Sequence, residues 1–328
     1  MSKRGKESFV LLVIDYSVNW YERFKGCQTS SGRKIVVEQV EWKDLHVEAS
    51  SDGRTLCYLR EAQRPFPFTS QKNDRVVSPD FVLIRNFPRD LHGVDYKNTI
   101  MGLMFNDVPA INSLLSVLLC SERTLQYSQL LKASKQLGSS GFELIPLIYH
   151  SNFMAGSSCN LFKEEYPLVV KVGSTHAGFG KAKVKSEADM DDIRSILALG
   201  KDYYTTEPFI GNIAYEYRIQ KIGAHYRAFR RNSSTSWKGN WGNLQWEDEP
   251  WQDRYKSWVD EVAKIYGGLD ILAIDMLHTV DGRDICLELN DTAPGLYYKY
   301  EDEDLNRIKS LVLERINILQ IERNPSTH

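Results

Sequence analysis

Pro167-Leu-Val-Val-Lys-Val-Gly-Ser-Thr-His-Ala-Gly-Phe-Gly-Lys181 decides how this chain is read. Residues 167–172 are an apolar run broken only by Lys171, which reads as a strand. Gly173, Gly178 and Gly180 then permit tight turns in which backbone N–H groups face a phosphate. Lys181 closes the loop. The loop lacks the Gly-Lys-Ser/Thr ending of a P-loop and the spacing of a dinucleotide fingerprint. On its own it also reads as a flexible hairpin turn.

Downstream, Ser186 caps a helix running to Leu199, and Gly200 ends it. The short strand 205–210 carries Glu207-Pro208-Phe209-Ile210. Such a strand offers alternating donors and acceptors to an adenine edge, or is simply part of a sheet. Residues 215–222 and 225–231 form a hairpin around Gly223. Residues 232–250, rich in Ser, Gly, Asn and Trp, read as a long loop. A helix face over 251–265 ends at Gly267-Gly268. Two strands, 271–277 and 284–289, join through Asp281-Gly282. Alternation along Asp284-Ile-Cys-Leu-Glu-Leu-Asn290 puts Cys286, Glu288 and Asn290 on one face. Asp275 lies on the preceding strand. If the two strands pair, Asp275, Glu288 and Asn290 converge as oxygen donors suited to Mg²⁺ or Ca²⁺. A solvated polar edge is the other reading. A closing amphipathic helix covers 305–319.

Upstream, strands at 9–14 (ending in Asp15), 34–40 and 81–85, a helix at 98–105 and a strand at 108–111 suggest a small open α/β domain. Residues 49–80 are polar and broken by Gly53, Pro65, Pro67 and Pro79. Ser121 caps a helix to Leu137, 142–148 reads as a strand, and 151–163 is loop-like.

A length of 328 residues suits about two domains. The 21 Gly and 11 Pro are just under a tenth of the chain, so nearly all of it is expected to be ordered. A net charge of −2 argues against bulk nucleic-acid binding, which runs on excess positive charge. No run reaches the ~18 apolar residues of a transmembrane segment. Five scattered cysteines without Cys-x-x-Cys fit a reducing cytosol. A cytoplasmic protein is expected, with any membrane contact peripheral.

The order of these features resembles the ATP-grasp architecture, and the chain is similar to the central domain of the synapsins. The matching stretches are 10–15, 80–85, 111–114, 205–210, 220–223, 253–256 with 258–260, 267–271, His278 and Asp281-Gly-Arg-Asp284. The resemblance implies an α/β plus α+β fold. A small Rossmann-like pre-ATP-grasp domain over 9–112 would precede a two-subdomain ATP-grasp fold over 113–322. It implies that Lys171 contacts adenine or the α-phosphate of ATP. The backbone of Glu207, Pro208, Phe209 and Ile210 would read adenine, and Glu216 would lie near the ribose. The loop with Gly178, Gly180 and Lys181 would cover phosphates; in a ligase, Lys171, Lys181 and Arg218 would stabilise developing charge. Arg123 stands where the family carries a nucleotide-contacting lysine. Trp237 and Lys238 fall in its mobile loop over 232–243. Asp275, Glu288 and Asn290 would hold the metal.

The family associates with synaptic vesicles and regulates neurotransmitter release. That implies a homodimer or higher homo-oligomer, peripheral contact with vesicle membrane and actin, and a presynaptic location on the cytosolic face. Two departures stand out. The family pattern usually has glutamate at Asp275 and lacks Asn290. Asp…Glu-x-Asn is the arrangement of ATP-grasp ligases, so a carboxylate–amine ligase acting through an acyl phosphate is the alternative. The family's proline-rich tail is not seen, which makes tail-driven clustering doubtful. Arg230-Arg-Asn-Ser233 fits a basophilic kinase pattern or, more blandly, a basic strand end. His176 is expected to be a solvent-exposed loop residue.

Overall fold

The computed structural model describes residues 8–60, 73–89, 93–151, 161–176, 178–233 and 244–323. The first apolar run forms β1 (Ser8–Ile14), followed by the short helix α1 (Trp20–Phe24) and β2 (Lys34–Val40). Next come β3 (Leu45–Ala49), β4 (Thr55–Leu59), β5 (Arg75–Val77), β6 (Phe81–Ile84), α2 (Lys97–Met104) and β7 (Ala110–Ile111). The order β2–β1–β6–β7 makes one parallel sheet. Phe9, Leu11 and Val13 face one core; Leu12 and Ile14 face another. Burial on both faces is why these strands are continuously apolar rather than alternating.

Residues 49–80 depart from expectation. β3, β4 and β5 form a three-stranded antiparallel sheet. In β4, Thr55, Cys57 and Leu59 point inward while Leu56 and Tyr58 face solvent. A half-buried sheet needs only every second residue apolar, so it looked like loop. Residues 61–72 lie outside the described set.

The helix expected from Ser121 to Leu137 is α4 (Arg123–Leu137), and a further helix not expected, α3 (Leu114–Cys120), precedes it. Ser113 caps α3, accepting the Ser116 N–H at 3.1 Å. Ser121 instead ends α3, donating its hydroxyl to the Leu118 carbonyl. The single strand expected at 142–148 is split into β8 (Glu143–Leu144) and β9 (Ile148–His150). Pro146, which has no N–H for a ladder, lies between them.

Strands β10 (Leu168–Val172) and β11 (Lys181–Val184), helix α5 (Glu187–Leu197) and β12 (Tyr204–Pro208) follow. They form a sheet ordered β11–β10–β12–β9, with α5 packed on it through Met190 and Leu197. Ser186 caps α5 as expected, accepting the Asp189 N–H at 3.2 Å. The largest sheet holds β13 (Ile213–Ile222), β14 (His225–Ser233) and β15 (Leu244–Asp248). After α6 (Asp253–Val262) come β16 (Ile271–Thr279), β17 (Asp284–Asn290) and α7 (Glu301–Arg323). Its order is β15–β14–β13–β16–β17–β8. The expected loop over 232–250 therefore contains an edge strand, β15. Residues 234–243, with Trp237 and Lys238, and residues 152–160 lie outside the described residues.

Asn112, placed just after β7, joins the first sheet to the large one. Its side chain is 1 % exposed and pairs with β16 as a backbone amide would. Oδ1 accepts the N–H groups of Asp270 and Ile271 at 2.8 Å, and Nδ2 donates to the Ile271 carbonyl at 2.7 Å. Helix α7 packs Ile308, Val312 and Ile316 against the same core as Phe9, Leu11 and Val13. No helix among the described residues is long and apolar enough to cross a membrane.

On α6, Asp260 accepts Lys221 Nζ at 2.7 Å, the Tyr226 hydroxyl at 2.8 Å and Lys256 Nζ at 2.5 Å. Burial raises its pKa, but these donors outweigh burial and hold it at about 2. A carboxyl lowered on folding stabilises above its unfolded value and loses that contribution as pH falls through the folded one. Asp260→Asn is therefore expected to cost about 1 kcal/mol above pH ~4, the group being partly screened by solvent. Urea unfolding across pH should show the gap to wild type narrowing toward pH ~2.

Candidate functional site

Strands β10 and β11 face each other in register, so Lys171 lies directly opposite Lys181. The loop between them is a hairpin turn closed by the Val172 N–H on the Gly180 carbonyl at 2.9 Å. Gly180 has φ +62°, and a Cβ there would stand 2.6 Å from Thr175 Oγ1. Only glycine fits that position. Gly178, φ +80°, is buried in the wall of the cavity described next.

That cavity lies between the β10–β12 sheet and the large sheet. Ten of the expected site residues line it: Lys171, Gly178, Lys181, Glu207, Pro208, Phe209, Ile210, Glu216, Asp275 and Glu288. Ile145, Val169, Ile213, Leu277 and Leu287 supply an apolar lining that the sequence reading did not single out. Apolar residues in or beside strands, they look the same in sequence as any core residue.

The polar side chains are arranged in two layers. Lys171, 6 % exposed, places Nζ 2.5 Å from Glu207 Oε1. Burial lowers the pKa of this ammonium, and Glu207 offsets part of that. The other oxygen, Glu207 Oε2, is buried with no hydrogen-bond partner among the described residues. Deeper in, Asp275 is gripped by two arginines. Arg218 donates Nε to Oδ1 at 2.6 Å and Nη2 to Oδ2 at 2.9 Å. Arg231 Nη2 lies 2.9 Å from Oδ2, and Asn290 Nδ2 donates to it at 3.2 Å. Burial raises the pKa of Asp275, but the guanidiniums outweigh it and the carboxyl lies below its ordinary value. Glu216, beside Arg231 in the ladder, is pushed up by burial.

Glu288 occupies a different environment. Its Oε2 is 3.7 Å from both Lys181 Nζ and Arg123 Nη1. Lys181 above all, against burial, holds its pKa well below the carboxylate range. It makes ion pairs at that distance without a short hydrogen bond. Arg123 begins α4 and holds the glycine loop. Its backbone N–H donates to Ser174 Oγ at 2.9 Å, and its guanidinium bonds the Thr175 carbonyl. Arg123 and Asn290 line an adjoining hollow that shares Glu288 with the main cavity. His176 is half-buried rather than exposed: Nε2 is 2.8 Å from the Arg89 carbonyl, and its ring packs on Phe87 at 4.6 Å.

A β-bulge aims these groups. Asp275 pairs with Glu288 but Met276 pairs with Cys286, leaving Leu287 extra. Strict alternation would put Cys286 beside Glu288. The bulge instead turns Cys286 into the core and Leu287 and Glu288 toward the cavity. Arg231 is the charged site residue that sequence reading missed, having been read as part of a basic strand end. Arg230 is also engaged, bonding Glu249 and lying over the Tyr215 ring. Both arginines of the kinase-like pattern thus have partners inside the fold.

Around the cavity stand five cations (Arg123, Lys171, Lys181, Arg218, Arg231) and four carboxylates (Glu207, Glu216, Asp275, Glu288). The balance suits an anion, and Glu288 meets its two cations at 3.7 Å, beyond hydrogen-bond distance. Glu288 and Asn290 line one hollow and carry oxygen donors of the kind a divalent ion takes, while among the described residues no three His, Cys, Asp or Glu side chains group as a metal site. Asp275 joins only through lone pairs its arginines leave.

Two family models match this chain: "Synapsin pre-ATP-grasp domain" over residues 4–110 and "Synapsin, ATP binding domain" over 112–318. The Synapsin of Drosophila melanogaster is 33 % identical over 315 residues, which is 94 % of this chain. The chain spans only about three-tenths of that relative's length. Among solved structures, the VanG D-Ala:D-Ser ligase of Enterococcus faecalis is similar in fold at TM-score 0.61 and 14 % identity, covering 94 % of this chain and 99 % of that one. The ATP-grasp ligase PsnB, solved with its minimal precursor, is similar at TM-score 0.59 and 13 % identity, with coverage of 94 % and 99 %. The chain belongs to the synapsin family and carries its pre-ATP-grasp and ATP-grasp folds in succession.

Proposed function

We propose that this protein binds ATP together with a divalent cation in the cavity between β10–β12 and the large sheet, as a synapsin of the vesicle surface. The observation that carries the reading is the facing pair Lys171 and Lys181, with Lys181 Nζ 3.7 Å from the Glu288 carboxylate. The adenine ring lies on the apolar lining. The Phe209 N–H goes to the Pro167 carbonyl at 2.9 Å, so ladder alternation turns the Pro208 carbonyl to the opposite edge, beyond the end of β9. That carbonyl accepts from the adenine amino group. Lys171, Lys181 and Arg123 meet phosphate oxygens. A divalent ion, Mg²⁺ or Ca²⁺, would supply neutralisation of phosphate charge there. Glu288 and Asn290 would hold it, and Arg218 and Arg231 keep Asp275 ionised beneath.

Association with synaptic vesicles, control of transmitter release, self-association and contact with actin follow from family membership and belong to this proposal. Asn290 touching Asp275 favours a second reading, a carboxylate–amine ligase working through an acyl phosphate. Phosphate release decides between them. With ATP, Mg²⁺ and mixed carboxylates and amines, the vesicle reading expects tight ATP binding and no release above background. Carboxylate-dependent release would establish the ligase.

A further inference from the structure

The glycine loop is held from two sides, and one of them belongs to the first domain. Gly173, Gly178 and Gly180 give the loop many conformations, and fixing such a loop on binding costs conformational entropy. Contacts that fix it beforehand remove that cost. Arg123 supplies some of them from α4. The others run to residues 87–95, between β6 and α2.

Ser174, 4 % exposed, is where the two sets meet. Its hydroxyl donates to Glu122 Oε2 at 2.8 Å and accepts the Arg123 N–H and the Tyr203 hydroxyl. One donor and two lone pairs are then all used. Arg89 Nη2 donates to Glu122 Oε1 at 2.9 Å and to Asp95 Oδ2 at 2.8 Å. Asp95 Oδ1 accepts the Lys97 N–H at 2.8 Å, at the start of α2. A continuous chain thus runs from α2 through Asp95, Arg89 and Glu122 to Ser174. His176 makes a second, separate contact. Its Nε2 donates to the Arg89 carbonyl at 2.8 Å, and its ring packs on Phe87 at 4.6 Å. A cavity of about 360 Å³ lies along this seam, lined by Arg89, Glu122, Ser174 and His176. The loop is therefore held here by a few directed contacts rather than by close packing.

We propose that the first domain docks the glycine loop, with Arg89 and His176 as positioning residues that set ATP affinity, and that ATP tightens the dock in return. Arg89 lies outside the cavity assigned to ATP, so it acts through Glu122 and the loop. The return effect follows from linkage: a contact that favours binding is itself favoured by binding. The effect on ATP rests on the nucleotide reading; the docking of the loop does not.

The test follows hydrogen exchange by mass spectrometry on the full chain, with calorimetric titration of ATP and Mg²⁺ beside it. In Arg89→Ala the amides of 173–176 should exchange at least about threefold faster than in wild type, with β13 and β16 unchanged. ATP affinity should fall by at least about threefold. Arg89→Lys, which keeps a cation between Asp95 and Glu122, should recover most of both. Added ATP should slow exchange at Tyr96 and Lys97 in wild type and not in Arg89→Ala. Unchanged loop exchange in a folded Arg89→Ala would overturn the proposal, as would equal losses in Arg89→Lys and Arg89→Ala. Faster loop exchange with unchanged ATP affinity would overturn the positioning role. Should Arg89→Ala not fold, His176→Ala replaces it. Its contact is to a backbone carbonyl, so the ion pairs stay, and unchanged loop exchange there overturns the proposal. A wild type that binds no ATP would end the nucleotide reading, and loop exchange in the variants would still decide the dock.

Discussion

Asp275→Ala is expected to be the most damaging single change in the nucleotide-binding half. Asp275, Arg218 and Arg231 are 3 %, 5 % and 6 % exposed, and both arginines pair with this carboxylate. Removing it takes from two buried guanidiniums the carboxylate that both of them grip. Breaking a buried pair in this way costs about 3–5 kcal/mol. The Gly295 carbonyl, which accepts Arg218 Nη1 at 3.1 Å, offsets little of that. The same loop runs from Asp291 to Gly295 and contacts the first sheet through Thr292, whose hydroxyl donates to the Ile84 carbonyl at 2.6 Å. The loss should therefore appear in urea unfolding as a lowered midpoint. Asp275→Asn should recover part of it by keeping hydrogen-bond acceptance. A midpoint unchanged in Asp275→Ala would mean that the triad is a surface-type pair of little weight.

Glu288→Gln should do the reverse, sparing the fold and removing function. Among the described residues Glu288 has no short hydrogen bond to lose, and its two cations stand at 3.7 Å. The change should cost about 1 kcal/mol or less in stability. Its carboxylate is nevertheless the donor a divalent ion would use. Loss of a carboxylate ligand should weaken metal-dependent ATP binding by at least about tenfold to a hundredfold, the range seen even for groups behind the ligands. Removing a negative charge also relieves repulsion toward phosphate, so binding of ATP without metal should rise or stay level. Equal metal-dependent affinity in wild type and Glu288→Gln would move the ion to other ligands.

Much of the fold was legible because its strands are buried on both faces. β1 and β2 appear as unbroken apolar runs, and the hairpins announce themselves through Gly223 and Asp281-Gly282. What escaped were elements whose pattern is weak or ambiguous. β4 alternates with outward Leu56 and Tyr58, β15 pairs only along one edge, and α3 is a short apolar helix that reads like a continuation. The site was legible as residue types at spacings: Lys171 and Lys181 across a glycine loop, Glu288 two before Asn290. The pairing of charges was not. Nothing in the sequence says that Arg218 and Arg231 both turn to Asp275, because three strands must first come into register. Nor does it reveal the extra residue at Leu287. Without that bulge, Cys286 rather than Leu287 would share the cavity wall with Glu288. Asn112 was visible only as part of a family string; its role as a stand-in for a backbone amide needed the neighbouring strand.

The central claim is that the facing lysines and Glu288 form one site for ATP and a divalent cation. Calorimetric titration of ATP into the purified chain, with Mg²⁺, with Ca²⁺ and with chelator, tests it most directly. Saturable one-site binding that strengthens with at least one of the two ions is the predicted result. No ATP binding in the presence of either ion would contradict it.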